Sequence, residues 1–166
     1  MQRTRDSHSA PISEPLGPAP LNPGVGRGYT LMHIYLLVAG DGEISDLLEP
    51  FADYGGEGTN DEAKFDWFQV GGMFKAGLPL KQPRETKRFF GLFTNSTSSG
   101  VVAKKSEVDL EDLLKAPPHA FLFAGRWSES KPLPDEQEAT EWRAELTQRL
   151  AEVPDDTTLT VVDCHS

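Results

Sequence analysis

The longest uninterrupted apolar run in this chain is six residues, Ile34 to Ala39, and that length limits what the chain can fold into. Six residues make a strand; a membrane-spanning helix needs about 20. The run lies inside Thr30 to Ala39 (TLMHIYLLVA), rich in β-branched, aromatic and aliphatic side chains, and it stops at the turn signal Gly40-Asp41-Gly42. A central strand of a soluble domain is expected. With 37% hydrophobic residues in 166, including three Trp and nine Phe, the chain is expected to close a modest core within one domain and no second independent one.

Other segments carry their own periods. Glu43 to Tyr54 sets Ile44, Leu47, Leu48 and Phe51 on a helical stripe, with Pro50 expected to kink or shorten it and Gly55-Gly56 to stop it. Phe65 to Phe74 (FDWFQVGGMF) alternates and reads as a strand entering a Gly71-Gly72 bulge or turn. Residues 77–100 are ambiguous, with an apolar island at 89–93 and a Ser/Thr/Asn/Gly loop over Thr94 to Gly100. Val101 to Ala103 is a short strand, and Ser106 is placed to cap a short helix over Asp109 to Lys115 that Pro117-Pro118 ends. His119 to Gly125 is a second buried strand. Asp135 with Glu138 forms a capping-box pattern ahead of the stripe Ala139, Trp142, Leu146, Leu150 and Val153, and Thr157 to Asp163 is a last strand. The expectation is a single α+β domain over residues 29–166, with a mixed or mostly antiparallel four- to five-stranded sheet and two or three helices on one face.

Residues 1–28 hold five prolines and no hydrophobic period, so they are expected to be a disordered tail; Met32 stands just before the first strand and is an alternative translation start. No secretory signal is read there, and one cysteine, Cys164, suits a reducing compartment, so the expected location is cytoplasmic. Arg3, Arg5 and Arg27 against Asp6 and Glu14 give residues 1–28 a charge of +1, so residues 29–166 carry −11 within the total of −10. Such a domain repels phosphate backbones, so direct nucleic-acid binding is not expected. The basic residues Lys81, Arg84, Lys87, Arg88, Lys104 and Lys105 read as a solvated face.

Two stretches carry a resemblance. Lys64 to Phe74, with Asp66-Trp67-Phe68 ahead of Gly71-Gly72, and the end Val161-Val162-Asp163-Cys164-His165 resemble an uncharacterised family of small phage and actinobacterial proteins with an Asp-Trp-aromatic, Gly-Gly motif and a C-terminal Val-Asp-Cys-His motif. The resemblance runs from about Met32 to the C-terminus and includes Leu48-Glu49-Pro50-Phe51 and Trp142; Met73-Phe74 stand where that family has Arg-Trp. It supplies no activity. It implies a phage or mobile-element origin, where small acidic proteins act by binding host machinery.

Read by residue chemistry, Asp163 and His165 lie two apart in a strand and so share a face, while Cys164 takes the other. Joined by Asp66 or His33 from neighbouring strands, they offer a carboxylate–imidazole set for a divalent cation, the one cofactor the residues suggest; the alternative is a strand end whose Asp163 bonds backbone or Trp67. His33, among aliphatic neighbours, also reads as a structural histidine. Cys164 with His33 or His119 lacks any nucleophile signature and reads as an inert thiol, and both Gly pairs read as turns. Trp67, beside Asp66 and the Gly71-Gly72 pair, is the binding-surface candidate. Acidic residues form two groups, Asp41 to Glu62 and Asp135 to Glu152, which would present one negative surface if they shared a face.

Three functions fit these residues. The preferred one is a phage-type accessory protein that binds a host protein stoichiometrically, an inhibitor of host defence or of nucleic-acid machinery whose partner carries a basic surface. The second is a small metal-dependent hydrolase using Asp66, Asp163 and His165. The third is a structural or oligomeric component.

Overall fold

The apolar run sits in the middle of a sheet. The computed structural model describes residues 33–53, 60–74, 77–87 and 94–165. In it β1 (His33–Ala39) pairs in parallel with β6 (Ala120–Phe123) and antiparallel with β8 (Thr158–His165). β2 (Trp67–Val70) and β5 (Val102–Lys104) lie along the far edge of β8, β2 beside Val162–His165 and β5 beside Thr158–Thr160. β7 (Arg126–Glu129) follows β6 antiparallel, so the strand order is β2-β8-β1-β6-β7 with β5 attached to β8. This is a single α+β domain with a mixed sheet of six strands, larger than expected mainly because β7 carries no strand signature in the sequence.

Strand alternation builds two cores. Tyr35, Leu37 and Ala39 face one way with Phe121, Leu159 and Val161, and α2 (Leu110–Leu113) and α3 (Glu136–Glu152) cover them through Leu113, Trp142, Leu146 and Leu150. Leu36 and Val38 face the other way with Ala120, Leu122, Val162 and Cys164. That second face is covered by α1 (Ile44–Leu48), the 3-10 turn Glu49–Phe51 and Phe65. Two or three helices on one face were expected; α2 and α3 lie on one face and α1 covers the opposite one.

Local chemistry explains the helix ends. Asp135 accepts the Glu138 N–H at 2.8 Å while Glu138 accepts the Asp135 N–H at 3.1 Å, the reciprocal cap read in the sequence. Pro50 limits α1 to five residues and opens the 3-10 turn instead. For α2 the cap is Asp109, whose carboxylate accepts the Asp112 N–H at 3.1 Å; Ser106, expected in that role, lies in the 3-10 turn Lys105–Glu107. The Trp142 indole donates to the Pro118 carbonyl at 2.8 Å, and buried Arg149 lies over the Phe121 ring and donates to the Arg126 carbonyl at 3.0 Å, tying α3 to β7.

Thr94 to Gly100, expected as a loop, is a strand: β3 (Leu78–Lys87) and β4 (Thr94–Gly100) form a separate antiparallel pair. Leu78 and Leu80 anchor it in the first core, and Leu80 bridges to Val108. The tail of residues 1–28, Met32, the Gly55-Gly56 stop and the apolar island at 89–93 lie outside the described residues. Among the described residues no helix is long and apolar enough to cross a membrane.

Candidate metal centre

The end of β8 turns its period of two into a site. Asp163 and His165 project toward the face that carries Tyr35 and Val161, and Cys164 projects into the opposite core against Ile34 and Phe68. Register supplies the neighbours. β1 places His33 opposite His165 and Tyr35 opposite Asp163; β2 places Trp67 opposite His165 and Gln69 opposite Asp163.

His33 Nδ1 lies 2.8 Å from Asp163 Oδ1, and the two imidazoles stand edge to face with centroids 4.1 Å apart. The Trp67 ring stands perpendicular to His165 at 4.6 Å. After β2 the chain reverses through Gly71 (φ +74°) and Gly72 (φ +45°), and the 3-10 turn Gly72–Phe74 folds back over the carboxylate. There the Met73 N–H donates to Asp163 Oδ2 at 3.0 Å. Gly72 is required twice over: its φ is left-handed, and a Cβ would stand 2.3 Å from both Cβ and Oδ2 of Asp163. Phe74 then stacks on Tyr35 at 5.0 Å, whose hydroxyl donates to the Gly77 carbonyl at 2.5 Å and whose ionisation burial pushes well up.

Asp163 is thus 2% exposed with both oxygens engaged, one by a backbone N–H and one by an imidazole. His165 is not so served. Its Nε2 is buried without a hydrogen-bond partner, 3.9 Å from Asp163 Oδ1 and beyond hydrogen-bonding reach. Leaving such a group unpaired costs about 1–3 kcal/mol. Ligand atoms of His33, Asp163 and His165 all lie within 4.8 Å of one another. Two imidazole nitrogens and one carboxylate oxygen suit zinc, iron, nickel or copper better than magnesium or calcium.

Of the residues read from the sequence, Asp163 and His165 lie in this cluster with His33, Trp67 flanks it, and Gly71 and Gly72 shape the turn that caps it, so the two motif stretches meet. Asp66 does not join. It is exposed, and its backbone N–H donates to the His165 carbonyl at 2.9 Å while the cluster is completed by His33. Cys164 has neither imidazole as a base: it lies in the opposite core, and burial, with the Asp163 charge, pushes its thiol up to about 12. His119 is structural, its Nδ1 accepting the Tyr35 N–H at 3.0 Å, and burial lowers its pKa.

The turn at Gly40-Asp41-Gly42 is structural as read. Asp41 accepts from Lys104 Nζ at 2.9 Å and from the Thr158 N–H and hydroxyl, the Thr158 hydroxyl foremost in holding its carboxyl down at about 2. The two acidic groups do not merge into one surface, because α1 and α3 cover opposite faces of the sheet. Among the basic residues, Lys81 donates to the Ser106 carbonyl, Lys104 pairs with Asp41, and Lys105 is buried against the Val153 carbonyl and Asp155. The backbone partner that the sequence allowed for Asp163 is the Met73 N–H, and the structural signal that sequence reasoning missed is the stranded Nε2 of His165. No protein-family model, curated protein or solved structure matches the chain.

Proposed function

We propose that this chain binds a divalent first-row transition metal through His33, Asp163 and His165 and uses it for hydrolysis. The observation that carries the reading is the buried, unpartnered Nε2 of His165 beside a buried carboxylate and a second imidazole. In this reading His33 would bind through Nδ1, His165 through Nε2 and Asp163 through Oδ1, while the Met73 N–H keeps Oδ2 fixed and the carboxylate oriented. Three protein donors leave coordination positions for water, and a metal held this way supplies a water acidic enough to act as a nucleophile near neutral pH. The hydrolase read from the sequence thereby keeps Asp163 and His165 and exchanges Asp66 for His33.

The test is titration of the full chain with Co2+ followed by its ligand-field absorption, with hydrolysis of activated ester and phosphodiester probes by the Zn2+-loaded protein. The expected result is one bound metal per chain, lost in H33A and in H165A, with probe hydrolysis removed by a chelator and restored by Zn2+. Metal binding that persists in the H33A/H165A double variant would refute the site, and a loaded but inert protein would refute the hydrolysis.

A second reading keeps the phage-type accessory protein that binds a host protein. The observation in its favour is the exposure of Trp67, Val70 and Met73, three large apolar side chains along β2 and the turn after it. Single large apolar residues on a surface are ordinary, which is why the metal centre is preferred. Capture of one stoichiometric partner by the wild-type chain and not by W67A would reverse the order.

A further inference from the structure

We infer that the metal centre works on ligands that carry an uncharged, planar aromatic group, with Trp67 as the platform on which that group rests. The inference depends on the metal reading and adds a substrate class to it.

Three observations lead there. Trp67 is 49% exposed, although Phe65, two residues earlier in the same segment, is buried. Its position is set by register: opposite His165, with ring centroids 4.6 Å apart, so a group bound at the metal beside His165 lies within reach of the open indole surface. The remaining side chains toward β2 are of matching character. Gln69, opposite Asp163, is exposed and offers an amide donor and acceptor; Met73, whose N–H holds the Asp163 carboxylate, is 63% exposed and presents a polarisable thioether.

Trp67, Gln69 and Met73 carry no charge, so these three side chains offer no ion pair to a charged substituent. Aromatic rings pack well on indole and thioether surfaces, and an amide serves a polar ring edge. A chain of net charge −10 adds long-range repulsion against polyanions. The class that fits is an aryl ester or aryl amide, its carbonyl at the metal and its ring on Trp67, and not a nucleic-acid strand. Hydrolysis of such a bond would add water across it: the water oxygen would form the new C–O bond as the acyl C–O or C–N bond breaks, the aryloxide or arylamine would leave with a proton, and no oxidant or reductant is consumed; a metal held by His33, Asp163 and His165 would supply the acidity of that water.

The test uses two metal-binding probes with the same head and different tails, acetohydroxamate and benzohydroxamate, titrated into the full chain at saturating Co2+ and read from the Co2+ spectrum. The wild-type protein is expected to bind benzohydroxamate about tenfold more tightly, in keeping with aromatic stacking on a protein ring. In W67A that ratio falls to about one, and in Trp67→Leu, which keeps an apolar side chain without a ring face, it falls part of the way. Equal affinities in the wild type, or a ratio that survives W67A, would overturn the inference while leaving the metal site standing. Absence of a Co2+ spectrum in the wild type would overturn both.

Discussion

Replacing Gly72 by alanine puts a methyl group where Asp163 already stands. A Cβ there would sit 2.3 Å from Asp163 Oδ2 and Cβ and 2.7 Å from Cγ, so the turn or the aspartate has to move. Two costs add. An alanine at φ +45° costs about 1 kcal/mol in left-handed backbone. Moving the turn breaks the Met73 N–H bond to a buried carboxylate, a charge-assisted contact worth about 1.5–3 kcal/mol. The expected destabilisation of Gly72→Ala is about 2.5–4 kcal/mol. Gly125→Ala separates the two terms, because Gly125 has a φ of +72° and nothing lies within 4 Å of where a Cβ would stand, so it should cost about 1 kcal/mol. Urea unfolding followed by tryptophan fluorescence reads both variants on one scale. If Gly72→Ala falls within about 0.5 kcal/mol of Gly125→Ala, the clamp of the turn on Asp163 is not what the geometry indicates.

Other outcomes follow from the same geometry. With its thiol pushed up to about 12, Cys164 is about one part in ten thousand thiolate at pH 8, so alkylation of the native chain should be negligible and become rapid in denaturant; fast native labelling would contradict its burial. Burial lowers the His119 pKa from its ordinary 6.5, and Nδ1 stays unprotonated to accept the Tyr35 N–H, so the unfolded chain takes the proton more readily. That contribution is complete above pH 6.5 and is lost as pH falls through the folded-state value; His119→Asn, which can accept the same bond, should therefore lose less stability on acidification than wild type does. Ala124 (φ +51°) and Gly125 (φ +72°) are the two central residues of the β6–β7 turn, a pattern that favours Asn-Gly, so Ala124→Asn should stabilise by about 0.5–1 kcal/mol in urea unfolding.

Elements whose signal is local were legible in the sequence. Asp135, Glu138 and the stripe through Trp142, Leu146 and Leu150 define α3 without reference to the rest of the chain, and Pro50 announces the shortening of α1. β7 was hidden because Ala124 is not a turn-forming residue and the strand behind it, Arg-Trp-Ser-Glu, has no fully buried residue and a single apolar side chain. β4 was hidden because a run of Ser, Thr and Asn resembles a loop. Ser106 and Asp109 are both good caps, and only the fold decides between them.

Half of the candidate site was legible as well. Period-two geometry puts Asp163 and His165 on one face and Cys164 on the other, as the structure has them. Which third residue completes the set depends on the register of β1 against β8, a non-local fact that places His33 opposite His165. Asp66 precedes Trp67, so alternation already argues against the two sharing a face. That Asp163 bonds backbone was one of the two readings, but which N–H does so could not be read, since Met73 is carried over Asp163 by a turn with two positive φ angles.

The most direct test of the metal centre is anomalous diffraction from crystals of the full chain grown with Co2+. The account predicts one strong peak between β1 and β8, about 2.0–2.2 Å from His33 Nδ1, His165 Nε2 and an Asp163 oxygen. A metal bound at other residues, or crystals in which those three side chains stay unligated at saturating Co2+, would contradict it.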